Sequence, residues 1–211
     1  MSPVVAVIVA YLIGALPTAY LAGRVHGVDL RQHGSGNLGA TNVLRVLGWP
    51  TGLVVYVLDC LKGLLPVLFL PGAAGLSGPR AVPWAIACGV AAIVGHVKPV
   101  WLLFRGGGKG VATASGVFFG LAPWPTAATV VIFAAVVGVT RYVSLGSMLS
   151  AAALPLFVWW AQGPSLVFGV SLCIAAFVIW THRANIGRLR RGEESKVGRR
   201  PAVPAAAEGS R

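Results

Sequence analysis

Long apolar runs alternate with short polar segments along most of the chain. Runs near residues 3–23, 52–71, 81–101, 111–122, 125–139, 143–161 and 165–181 each predict a helix in lipid, where a full crossing takes about 20 residues. The fourth and fifth runs are short, and Pro123-Trp124-Pro125 lies between them. They read either as two helices or as one broken helix.

The polar segments decide the count. Cations gather between the first and second runs (Arg24, Arg31, Arg45), between the third and fourth (Lys98, Arg105, Lys109) and between the fifth and sixth (Arg141). A further group follows the seventh run: Arg183, Arg188, Arg190, Arg191, Lys196, Arg199, Arg200 and Arg211. With seven crossings all of these share one side, and Arg80 alone takes the other. With six, the last group parts from the first two. The bias of Lys and Arg toward the cytoplasm therefore predicts an all-α membrane protein of seven transmembrane helices. Its N-terminus is extracytoplasmic, its C-terminus cytoplasmic, and its polar motifs meet at the cytoplasmic face. The first run lacks a basic leader and is long enough to span, so it reads as an uncleaved helix. Residues 1–187 form a single transmembrane domain. Residues 188–211 are rich in Arg, Ala and Pro and read as a basic, disordered tail on anionic headgroups.

Composition agrees. The chain is 56% hydrophobic and only 10% charged, against about 25% charged in soluble domains. The net charge of +12 would suggest nucleic acid for a soluble protein. Here the cations flank lipid spans, so membrane lipids and an anionic substrate are the expected partners, and no nucleic acid. Cys60, Cys88 and Cys173 are too dispersed for a disulfide framework or a metal site and read as small buried hydrophobes.

Five polar clusters interrupt the pattern. Gly34-Ser35-Gly36-Asn37-Leu38-Gly39-Ala40-Thr41-Asn42 precedes a helical run that starts after Thr41 or Asn42 and carries Arg45. It is either a surface turn with a cap or an anion nest of backbone N–H groups, Ser35, Thr41 and Arg45. Asp59 and Lys62 lie deep in the second run, three apart, the spacing of a structural ion pair in lipid. Gly95-His96-Val97-Lys98-Pro99 leads to Gly106-Gly107-Gly108-Lys109-Gly110. Glycines let backbone N–H groups approach an oxyanion, and Lys109 adds a point charge. The loop lacks the spacing of a nucleotide-binding P-loop, which leaves phosphate without a nucleotide. His96 is either an interfacial anchor or a catalyst. Arg141-Tyr142-Val143-Ser144-Leu145-Gly146-Ser147 opens the sixth run, and His182 and Asn185 close the seventh, three apart on one helical face.

In this order, the motifs resemble those of the bacterial membrane glycerol-3-phosphate acyltransferases that use acyl phosphate as donor. The resemblance covers nearly all of the chain except the tail. One departure is Arg105, where lysine is frequent, and it keeps the charge. The resemblance implies acyl transfer from acyl phosphate to the sn-1 position of glycerol-3-phosphate, giving lysophosphatidic acid and phosphate without cofactor or metal. It assigns the glycine–lysine loop to substrate phosphate, and it implies the bacterial inner membrane as location and the acyl-phosphate-producing enzyme as a partner. The expected catalytic residues are Ser35, Arg45, His96 and Lys109. The expected substrate-binding residues are Gly36, Asn37, Gly39, Thr41, Asn42, Gly106, Gly107, Gly108, Gly110, Ser144, Ser147, His182 and Asn185. No Ser-His-Asp triad is evident, and no histidine is followed five residues on by Asp, so direct attack on the acyl carbon is expected. The alternative is a transporter or flippase of a phosphorylated anion. Against it stand the surface position of the clusters and the lack of a visible inverted repeat.

Overall fold

The computed structural model describes residues 1–198, which form ten α-helices and no strand. Ser2 caps α1 (Pro3–Gly14) by accepting from the Val5 N–H at 3.3 Å, with Pro3 in the first turn. The chain breaks at Pro17 and resumes as α2 (Thr18–Val25), and the two make an apolar stretch of 23 residues. The short α3 (Ala40–Leu47) turns Asn42 and Val43 inward and packs on α4 (Trp49–Ala73). It starts at Ala40, two or three residues earlier than the sequence suggests.

α5 (Ala81–Val97) is lengthened by single 3-10 turns at Gly78–Arg80 and Val100–Leu102. α6 (Val111–Leu121), α7 (Pro123–Thr140), α8 (Val143–Gln162) and α9 (Leu166–Thr181) follow. A bend of 54° then leads into α10 (Arg183–Arg190).

Five stretches are long and apolar enough to cross a membrane: α1 with α2, α4, α5 with its 3-10 turns, α7 and α8; α9 with α10 makes a sixth. The expected seventh, α6, has only 11 residues and rises about 16 Å, roughly half the hydrocarbon thickness. Its limits are set locally. Gly110 precedes it at φ +81°, and Ala122 leaves the helical region at φ −151° because Pro123 follows. The Pro123-Trp124-Pro125 segment therefore separates two helices with different neighbours: α6 packs on α4, and α7 packs on α8.

Small residues set the α4–α6 contact. A Cβ on Gly63 would strike the Thr113 backbone, and one on Gly116 would strike the Cys60 carbonyl. The two helices therefore pack backbone against backbone, as lipid-embedded helices do where no water drives them together. Ile86, Phe118, Leu154, Val158 and Val167 form a buried cluster joining α5, α6, α8 and α9. On the opposite side of α4, Leu53, Val57, Leu61, Leu65 and Leu68 are exposed, the surface lipid requires. Of the three free cysteines only Cys88 is buried. Cys60 is half-buried and Cys173 is exposed, because α9 turns it outward rather than into the core.

The tail expected from residue 188 does not begin there. α10 runs to Arg190, and the following segment folds back onto the bundle to bury Glu194. Hydrogen bonds to that carboxylate hold it. The remainder of the expected tail, 199–211, lies outside the described residues.

Candidate active site

The polar clusters converge at one end of the bundle on a cavity of about 150 Å³. The loop before α3, the glycine–lysine loop before α6, the start of α8 and the α9–α10 bend build it together with α4, the end of α5, α7 and the segment around Glu194. Ser35, Asn37, Gly39, Thr41, Asn42, Arg45, Asp59, His96, Lys109, Gly110, Ser144, Ser147, His182 and Asn185 all line it. Gly36 does not; it sits at φ +69° and turns the loop behind. Gly106, Gly107 and Gly108 also lie outside, around a cavity of about 10 Å³ shared with Leu16, Thr18, Lys62 and His96.

Asn42 fixes the first loop. Its Oδ1 accepts from the Ser35 N–H at 2.8 Å, and its Nδ2 donates to the Leu30 and His33 carbonyls at 3.1 and 3.0 Å. Its amide is thereby occupied by loop backbone and holds the loop rather than a ligand. The first turn of α3, from Gly39 to Thr41, borders the cavity, and its N–H groups offer partial positive charge. Arg45 lies one turn further along α3 and also lines the cavity. Its Nη2 donates to the Ser195 carbonyl at 3.0 Å, while its buried Nε has no partner among the described residues. An unpaired buried donor is costly unless something else accepts from it.

The Lys109 ammonium donates to Asn185 Oδ1. Burial lowers its pKa to about 8; the charges of Arg188 and Arg45 act in the same direction, and Glu194 opposes them. His182 is buried at the bend, with Nδ1 2.8 Å from the Val178 carbonyl. Donation there leaves Nε2 for the cavity.

Glu194 is the member that sequence reasoning missed. Oε1 accepts from Ser144 Oγ at 2.8 Å and Asn185 Nδ2 at 2.6 Å, and Oε2 accepts from Arg188 Nε at 2.7 Å. Burial raises its pKa, but these three hydrogen bonds outweigh burial and hold it below the usual carboxylate range. The segment around it is a strap. Arg45 holds Ser195, Val197 and Arg141 exchange backbone and side-chain hydrogen bonds at 2.9 and 3.0 Å, and Lys196 sits 5.1 Å from the Tyr142 ring centroid.

Asp59 and Lys62 pair at 2.7 Å, both buried. Asp59 also accepts from Thr18 Oγ1 at 2.6 Å and faces His96 Nδ1 at 3.6 Å. Thr18 carried no sequence signal.

The glycine loop rests on the last turn of α5. A Cβ on Gly107 would strike the Val97 carbonyl, which cannot yield. Gly107→Ala is expected to lift the loop and lower kcat/KM about tenfold. Gly138→Ala, where a Cβ meets nothing, should leave it unchanged. Steady-state kinetics of the two variants test this.

Fold and site define an integral membrane protein that receives a small anion at one end of a helical bundle. The sequence profile of glycerol-3-phosphate acyltransferase matches residues 4–192. The chain belongs to the glycerol-3-phosphate acyltransferase family, and it is an integral membrane acyltransferase. It is 49% identical to the glycerol-3-phosphate acyltransferase of Geobacter sulfurreducens over 89% of this chain and 94% of that one. It is 44% identical to the enzyme of that name from Synechococcus sp. strain CC9902, over 94% and 96%. The crystal structure of PlsY (YgiH), an integral membrane glycerol 3-phosphate acyltransferase in its glycerol 3-phosphate form, superposes with a TM-score of 0.85 at 38% identity, covering 93% of this chain and 96% of that one. The lysophosphatidic acid form gives 0.82 at 37%, covering 93% and 95%.

Proposed function

We propose that the protein transfers an acyl group from acyl phosphate to the sn-1 hydroxyl of glycerol-3-phosphate, giving 1-acyl-glycerol-3-phosphate and phosphate. The observation that carries this reading is the joining of a cationic pocket to an apolar wall in one cavity. Lys109 and Arg45, whose buried Nε has no partner among the described residues, line it together with Tyr56, Val130 and Phe133. Such a cavity suits a reaction between a phosphorylated polyol and an acyl chain.

In this reading Lys109, Arg45, Ser35 and the first turn of α3 hold the phosphates, and Ser147, His182, Asn185 and Asn37 line the acceptor. The glycerol hydroxyl oxygen attacks the acyl carbon, the acyl carbon–phosphate oxygen bond breaks, and phosphate leaves with the electron pair. The hydroxyl proton passes to that phosphate, which gains negative charge as it departs. Charge neutralisation and orientation then lower the barrier. Seven helices cross the bacterial inner membrane with the N-terminus outside. α6 counts as the fourth crossing, and the cavity opens to the cytoplasm. An enzyme that makes acyl phosphate supplies the donor at the same face.

The test is a single-turnover assay of the purified protein with acyl phosphate, acyl-CoA or acyl carrier protein. Lysophosphatidate and phosphate should form from acyl phosphate alone, with no labelled acyl chain retained on the protein. Transfer from acyl-CoA but not from acyl phosphate would overturn the donor assignment, and a retained chain would overturn direct attack.

A further inference from the structure

Asp59 and Lys62 are the two charged side chains within α4, and both are buried. A simple ion pair accounts for little of their surroundings. Ion pairs removed from water gain little net stability, and well-packed apolar replacements are often neutral. This pair is the centre of a larger cluster. Lys62 also donates to the Leu16 carbonyl at 3.0 Å, an oxygen at the break before Pro17. Thr18, on the far side of the break, donates to Asp59 at 2.6 Å. His96, at the end of α5, turns its Nδ1, which has no hydrogen-bond partner among the described residues, toward the same Asp59 oxygen.

The other edge of the His96 ring lies against the glycine–lysine loop. A Cβ on Gly108 would strike its Nε2, and the Gly108 N–H donates to the His96 carbonyl at 3.3 Å. Lys109 is the next residue, and its ammonium reaches the cavity. An unbroken line of contact thus runs from Asp59 through His96 and Gly108 to Lys109. Asp59 itself borders the cavity beside His96.

We propose that Asp59 is a positioning residue: with Lys62 and Thr18 it fixes the His96 ring, and the ring sets the path of the loop that presents Lys109 to the substrate phosphate. His96 then acts through the loop and not on the reacting atoms. The inference rests on the proposed role of Lys109 as the phosphate grip.

The decisive comparison is the double variant Asp59→Leu/Lys62→Met, which removes both charges together and leaves neither stranded. Thermal midpoint, kcat and KM for each substrate are measured beside Thr18→Val, Thr18→Ser and Lys109→Ala. A pair that only holds the bundle together predicts a folded double variant with parental kinetics. Positioning predicts a folded double variant whose KM for glycerol-3-phosphate has risen at least about tenfold. Thr18→Val should move in the same direction with the midpoint kept, and Thr18→Ser, which retains the hydroxyl, should behave as the parent. Parental KM in the folded double variant overturns the proposal. If that variant does not fold, parental KM in Thr18→Val overturns it. If Lys109→Ala loses binding while these variants keep it, only the role of Asp59 falls. If Lys109→Ala is itself normal, the phosphate-grip reading falls and the proposal with it.

Discussion

Lys109→Ala is expected to lower kcat/KM for glycerol-3-phosphate by about a hundredfold to a thousandfold, the usual loss when a preorganised charge donor is removed from a secluded site. The thermal midpoint should not fall. Lys109 has a single hydrogen-bond partner among the described residues, Asn185, and burial, with Arg188 and Arg45, disfavours its charge more than Glu194 favours it, so its removal relieves a net penalty. A pH profile separates this role from simple packing. Burial lowers the Lys109 pKa to about 8, so the free enzyme loses the proton as pH rises through that value. A dianionic ligand favours the protonated amine, so binding above that pH must recover a proton from solvent. The KM for glycerol-3-phosphate should therefore rise by up to about tenfold per pH unit above about pH 8. Lys109→Arg keeps its charge throughout and should give a flat KM from about pH 7 to about pH 9.5. A parental KM that stays flat across this range would show that Lys109 does not hold the anion in its charged form.

The residues that the sequence makes legible are those whose signal is local. The first apolar run, from residue 3, announces the start of α1, whereas its break at Pro17 went unread. The Asp59–Lys62 spacing announces their 2.7 Å contact. The cationic loops announce a shared end of the bundle, where the cavity lies. Expectations failed where the deciding contact is distant in sequence. Ser144 meets Glu194 across 50 residues, Thr18 meets Asp59 across 41, and Arg45 meets Ser195 across 150. Nothing periodic marks such partners. Glu194 was further hidden by its company: beside Glu193 in a basic segment, it reads as part of a solvated tail. Its importance lies in the reverse, since a carboxylate placed among cations finds several donors at once. The length of α6 was legible: the short run over residues 111–122 differs from the helix by one residue, because a residue before proline avoids the helical region and Ala122 ends the helix.

Glu194→Ala is expected to lower the thermal midpoint by about 5–10 °C and kcat/KM by about a hundredfold. The variant strands three donors at once, Ser144 Oγ, Asn185 Nδ2 and Arg188 Nε. Breaking a buried pair from one side costs about 3–5 kcal/mol, and the half-exposed Arg188 places this case at about 2–3 kcal/mol. The kinetic loss follows from Asn185, whose other amide atom takes the Lys109 ammonium; freed from Glu194, it no longer sets where that ammonium points. Glu194→Gln separates charge from shape. It retains an acceptor for Ser144 but loses the ion pair with Arg188, so its midpoint and kcat/KM should fall between those of parent and alanine variant. Acid should reproduce the charge loss. The Glu194 pKa is lowered in the folded state, so its stabilisation is complete above the ordinary value of 4.5 and is lost as pH falls through the lowered one. The midpoint difference between parent and Glu194→Gln should therefore shrink as pH drops below about 4.5. A constant difference down to about pH 3 would assign the stability of the strap to its contacts with Arg141 and Tyr142 instead.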